Sequence, residues 1–243
     1  MIKGMYTSAN GMLPGLKRQE TIANNLANAS TSGFKKDVLF TRELRNAERR
    51  QTNPRADWQR SLQNTIDIDY SAGVFDKTDN PHNLAIDGDG FFVLQDSEGG
   101  TVLTRSGAFE VDAEGFLSYP GGYRLIGDGG PIQVGSGRLT VGGGGEAQVN
   151  GQSAGTITAR AVADASALQR LGGSLFVLPE GVELIPAVHA TIQQGYLETS
   201  NVDVVNEMVE MIVSYRSYEA NSKSLQAQDE SLSHLLNRVA GDR

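Results

Sequence analysis

Hydrophobic and polar positions follow three different rhythms along this chain. Near the N-terminus, Met5, Met12 and Leu26 share one heptad column with Gln19, and Ala9, Leu16 and Ala23 fill a second column four residues on. That a/d-type spacing predicts a helix over residues 2–29. Gly4, Gly11, Pro14 and Gly15 lie inside it, so in isolation the helix is expected to be marginal. At the other end, Val204, Met211, Tyr218, Leu225, Leu232 and Val239 recur every seven residues. A second column holds Met208, Tyr215 and Leu236 and is interrupted by Ser222 and Asp229. This pattern predicts one long helix, from about 202 to 239, with a coiled-coil seam.

Between these ends, short apolar runs such as "FFVLQ", "TVLTRS", "AFEV" and "FLSY" alternate with the turn sequences "DSEGG" and "DAEG". They predict hairpins, with further strands at "YRLIG", "GPIQV", "RLTV", "GTITARAV" and "SLFVLP" and one short helix through "ASALQRLG" stopped by Gly172. The layout is therefore an N-terminal helix (1–34), a charged extended linker (35–63), a central all-β domain (64–198) and a C-terminal helix (199–243). The fold class is α+β, with the two terminal helices expected to pair as a coiled coil.

Composition sharpens this picture. The 29 glycines among 243 residues show no G-X-Y period and fit a turn-rich β region. A net charge of −8 argues against a nucleic-acid binder. The segment from Lys35 to Arg60 runs the other way, with eight basic residues against four acidic ones. It reads as a solvated linker or as a contact for an acidic neighbour. With no cysteine, disulfides and thiolate metal sites are excluded. No apolar run reaches the ~18 residues of a membrane span, so membrane insertion is not expected. "MIKGMYTSANGMLPGLK" lacks the apolar stretch of a cleavable secretory signal, so any passage out of the cytoplasm is expected by another route.

No enzyme chemistry or cofactor is predicted. His82, His189 and His234 have no metal or triad spacing. "DGDG" at 87–90 begins like a calcium loop but lacks its later ligands, and reads as a tight turn feeding the strand "FFVLQ". "GGGGE" at 142–146 lacks the Gly-Lys-Ser/Thr of a phosphate loop. The least ordinary stretch is "IANNLANASTSGFKK", residues 22–36, where Asn24, Asn25 and Asn28 occupy places a core helix would give to Leu, Ile or Val. Something is packed closely there through polar groups.

Three segments resemble the flagellar rod and hook protein family of bacteria. In the first, Asn24, Asn25, Leu26, Ala27, Asn28, Thr31, Gly33, Phe34 and Lys35 match that family's N-terminal signature. The second, "TDNPHNLAIDGDGFFVL" through "LTRSGAFEVDAEGFL" (Thr78–Leu117), is similar to its central block, and Gln194–Lys223 to its C-terminal signature. The resemblance implies a structural subunit of the basal-body rod, part of the drive shaft that transmits torque to the hook. It implies export through the flagellar type III apparatus without a cleaved signal, and residence in the periplasmic rod. Partners would be copies of this chain and other rod proteins, met through the terminal helices.

The assembly interface implied comprises Met5, Ala9, Met12, Leu16, Ala23, Asn24, Asn25, Leu26, Asn28, Gly33 and Phe34, with Val204, Met208, Met211, Tyr215, Tyr218, Leu225 and Leu232. In it the asparagines would satisfy groups on neighbouring subunits. Gly33 would make the left-handed turn ending the helix, with Phe34 as its apolar clamp. "ETSNV" and "EMVEMI" resemble distal-rod members strongly, but "GYRLIGDGGPIQV" (Gly122–Val134) is more similar to proximal-rod members, so the proximal rod is expected and the distal rod is the alternative. A non-flagellar β-rich binding module is the competing class. It would need an aromatic ligand face, but Trp58, the one tryptophan, lies in the linker.

Overall fold

A computed structural model describes residues 2–44, 61–179 and 181–241, with side chains within 12–40, 65–179 and 181–234. Helix α1 spans Ile2–Ala27 and helix α2 spans Val204–Gly241. Between them lie nineteen short strands among the described residues. The chain divides into two compact units: residues 1–27, 37–68 and 203–243 form the first, and 28–36 with 69–202 the second.

In the first unit, β1 (Asp37–Leu44) and β2 (Ser61–Ile68) pair antiparallel from Asp37↔Ile68 to Leu44↔Ser61. The segment expected to be an extended linker thus contributes a two-stranded ribbon. Its most basic part, 45–60, lies outside the described residues. An isolated ribbon is marginal in water, and here α1 accompanies both strands.

The second unit is β throughout. Its largest sheet runs β15 (Gln169–Gly172), β16 (Leu175–Val177), β6 (Thr101–Thr104), β5 (Phe92–Gln95), β9 (Tyr123–Gly127), β8 (Leu117–Tyr119) and β7 (Glu110–Val111). Alternation decides its two faces. Phe92 and Leu94, with Val102 opposite Leu94, enter a core that also holds Phe109, Leu117, Leu125 and Ile132. Val93, Leu103 and Phe176 lie in line across the three neighbouring strands and point to the other face. On that face Phe176, Phe91 and Tyr70 pack with ring centroids 5.7–5.8 Å apart.

The start and end of this unit are tied together by two long-range pairings. β4 (Leu84–Asp87) pairs with β18 (Thr191–Gln194), and β3 (Phe75–Lys77) pairs with β19 (Tyr196–Glu198). None of these four strands was marked by the hydrophobic pattern. The expected helix through "ASALQRLG" is a three-residue 3-10 turn, Ala165–Ala167, capped by Asp164, followed directly by β15. Pairing of Gln169 and Arg170 with Val177 and Phe176 overrides the weak local helix preference.

Candidate assembly site

The two helices of the first unit run antiparallel. Ser214 Oγ donates to the Gly15 carbonyl at 3.3 Å, Arg18 pairs with Glu210 at 2.6 Å, and Asn25 Nδ2 donates to Glu207 Oε2 at 3.5 Å. These contacts mark the inner face of each helix. Met12, Gln19 and Leu26 are half-buried and Ile22 is buried. Met211, Tyr218, Leu225 and Leu232, half-buried, stay in helical phase with Ser214. The side chains of Met5 and Ala9 lie outside the described residues.

Asn25 shows why asparagine, and not leucine, occupies this helix. Its side-chain amide accepts from the Asp37 N–H at 2.8 Å and donates to the Asp37 carbonyl at 2.9 Å. One amide thereby meets both backbone groups of the first β1 residue, as a neighbouring strand would. Asn24 donates to the Asp37 carboxylate at 2.9 Å. These bonds lie within the chain.

The outer faces differ sharply in texture. On α1, Leu13, Leu16, Ala23, Asn24 and Ala27 are exposed. On α2, Val205 (70% exposed), Met208, Val209, Ile212, Val213 (58%) and Tyr215 are exposed together. Positions 205, 208, 209 and 212 follow the spacing of a single helix face. Val204 is also exposed, at the start of the helix.

Beyond α1 the chain enters the second unit. Thr31 N–H donates to the Asn28 carbonyl at 3.1 Å, making a turn separate from the helix end at Ala27. Gly33 has φ +66° and donates its N–H to the Glu198 carbonyl at 2.8 Å. The left-handed conformation is as expected, but it stands six residues past the helix and serves this turn, not the helix cap. Phe34 is fully buried, with the Arg170 guanidinium 4.5 Å above its ring and 5.3 Å from Phe176. Arg170 also donates to the carbonyls of Lys35 and Gly173, at 2.5 and 2.6 Å. Because Asn25, Gly33 and Phe34 are buried, their surroundings are supplied by their own chain.

Next to Phe34 lies a buried ion cluster. Glu198 is 0% exposed, Lys35 1% and Arg105 5%. Lys35 Nζ donates to Glu198 Oε1 at 2.6 Å and to the Ser71 carbonyl at 2.7 Å. Arg105 Nε donates to Glu198 Oε2 at 2.6 Å, and the Gly73 N–H donates to Oε1 at 3.0 Å. The remaining Arg105 nitrogens hold the carbonyls of Ile86, Gly88 and Gly90. "DGDG" is thus a turn whose carbonyls line a guanidinium site. Burial pushes the Lys35 ammonium below its ordinary lysine value, and the Glu198 carboxylate opposes that shift. Asn201 completes the arrangement, accepting from Lys36 N–H at 2.8 Å and donating to the carbonyls of Asp69 and Ser71 at 2.8 and 3.2 Å.

Arg105, Arg170, Glu198 and Asn201 were not singled out from sequence. The one available signal was a charge embedded in apolar alternation, as in "VLTRSGAF" and "GYLETSN". Among the described residues, no three His, Cys, Asp or Glu side chains converge to hold a metal, and no helix is long and apolar enough to cross a membrane.

The helix pair thus carries an exposed apolar outer face, a surface of the kind that meets other proteins. Family models agree: residues 5–35 match "Flagella basal body rod protein", 85–159 "Flagellar hook protein FlgE/F/G D1 domain" and 193–238 "Flagellar basal body rod FlgEFG protein C-terminal". The chain is 31% identical to the flagellar basal-body rod protein FlgG of Buchnera aphidicola subsp. Schizaphis graminum, over 97% of this chain and 99% of that one. It is 30% identical to FlgG of Bacillus subtilis, covering 98% and 99%. It is 31% identical to the basal-body rod protein FlgF of Caulobacter vibrioides, covering 89% and 92%. The chain belongs to the flagellar basal-body rod protein family. It is accordingly a structural rod subunit of the flagellar basal body, not an enzyme, and other rod proteins are its partners.

Proposed function

We propose that the subunit assembles helically through the outer faces of its terminal helices, which form a coiled-coil inner layer of the rod with copies of this chain and its rod neighbours. The observation that carries this reading is the stripe Val205, Met208, Val209, Ile212 and Val213, exposed on a helix whose other face already packs on α1. Contiguous apolar surface of this kind marks an interaction site. Leu13, Leu16, Ala23 and Asn24 supply the matching surface on α1, with Met208 and Tyr215 on α2. The inner residues Met12, Leu26, Met211, Tyr218, Leu225 and Leu232 hold the pair together. The chain reaches the periplasmic rod through the flagellar export apparatus.

The absence of native cysteine makes the test direct. Met208→Cys and Ile212→Cys, each paired with Leu16→Cys, should give inter-subunit disulfides in oxidised, assembled basal bodies and none in dilute monomer. Assembled rods that form no cross-link from either pair would overturn the interface.

Along the rod we place this subunit in the proximal segment, on the similarity of Gly122–Val134 to proximal members. A distal position is the second reading, favoured by the end-to-end match to FlgG proteins. Gold labelling of a tagged, functional chain on purified basal bodies separates the two by distance from the base.

A further inference from the structure

Glu198 brings the one carboxylate that Lys35 and Arg105 share, from a segment distant from both in sequence. Lys35 and Arg105 stand 163 and 93 residues from it in sequence, and both cations are buried. The same C-terminal stretch supplies β18 and β19, which pair with β4 and β3. Leu84, Ala85 and Ile86 of β4 are fully buried, yet β18 is the strand that extends their ladder. Gly33 N–H and Gly73 N–H also end on Glu198. Without residues 191–198, therefore, β3 and β4 lose their ladders, and two cations lose their shared anion. Burying like charges without a counterion is strongly unfavourable, whereas the complete cluster is well hydrogen-bonded.

We propose that the Lys35–Glu198–Arg105 cluster is a completion lock, which keeps the β unit from closing around its N-terminal segment until the chain through Glu198 has joined it. The lock works through charge. An incomplete chain keeps Lys35 and Arg105 hydrated, and this holds open the "DGDG" turn and the docking place of Phe34 beside them. When Glu198 arrives, the carboxylate is shared between the two cations and all three segments close together. The inference concerns the order of folding within one chain and does not depend on how copies associate.

Pulse-labelled hydrogen exchange during refolding of the full chain tests it without any variant. Amides of Phe92–Gln95 and Thr101–Thr104 should gain protection in the same kinetic phase as those of Ile192–Glu198. Protection of the central strands at least about tenfold sooner overturns the lock, since a late-joining segment would then merely decorate a finished sheet. Equilibrium unfolding in urea supplies the charge test. Glu198→Gln should lower the folding equilibrium constant about a hundredfold or more. Adding Lys35→Met to Glu198→Gln should recover about tenfold, because the cluster returns to a single excess positive charge. If the double variant is instead weaker than Glu198→Gln alone, the cluster acts through hydrogen bonds and packing, and the lock is wrong. Should Glu198→Gln fail to fold, recovery of a folded state in the double variant supports the lock and its absence counts against it.

Discussion

Replacing Gly33 by alanine should damage the β unit itself, not only the assembled rod. An ideal Cβ on Gly33 would stand 2.2 Å from the backbone nitrogen of Ser106 and 2.5 Å from the Arg105 carbonyl carbon. Ordinary contacts begin near 3.4 Å, so one of two backbone segments must move by about an ångström, at a cost of ~1–3 kcal/mol. The left-handed conformation adds ~1–2 kcal/mol for any residue with a Cβ. Together these give about 2–5 kcal/mol, against a typical domain stability of ~5–15 kcal/mol. For a unit of this size the melting temperature should fall by ~5–15 °C. Near-ultraviolet circular dichroism on heating reads this directly, because Tyr70 is packed among aromatic rings in the same unit. Gly15→Ala is the matched control: its Cβ would meet nothing within 4 Å, and helix propensity predicts a small gain of ~0.5–1 kcal/mol. If Gly33→Ala melts within about 2 °C of the parent chain, the steric argument fails.

Three other outcomes can be checked on the purified chain. Asn25→Ala leaves both backbone groups of Asp37 without their side-chain partner and should destabilise the helix-and-ribbon unit by ~1–3 kcal/mol, read as lost amide protection at Asp37 and along β1. Arg170→Lys keeps the charge but loses the planar group lying over Phe34 and Phe176, and should cost about 1–2 kcal/mol in urea unfolding. Lys35 carries a pH signature: its folded-state value lies below the ordinary 10.5 because of burial, so the unfolded chain holds this proton more tightly. The Lys35 contribution to stability therefore rises with pH from the folded value up to 10.5, and the difference in urea midpoint between the parent and Lys35→Met should shift in favour of the parent over that window. A difference that stays flat or falls would contradict the buried ammonium.

The sequence by itself determined the α+β layout, both terminal helices and most strands of the central sheet. Each of these depends on local periodicity, which a single segment displays alone: seven residues for Val204 to Leu232, two for "FFVLQ" and "TVLT". The family resemblance pointed to a left-handed Gly33, but as the end of the helix, whereas it stands in a turn six residues beyond. Only the tertiary structure decided which heptad column faces inward. Ser214 and Asn25, not the largest apolar residues, mark the helix contact, while Val205, Met208 and Ile212 are left outside. A heptad states that a helix has a seam but not which partner fills it. The cluster of Lys35, Glu198 and Arg105 was not legible either: a charge among apolar residues in "VLTRSGAF" or "GYLETSN" hints at burial but names no partner. Their chemistry exists only when Glu198 is brought between two cations more than ninety residues away in sequence, and a buried charge is tolerable only once its counter-charge is in place.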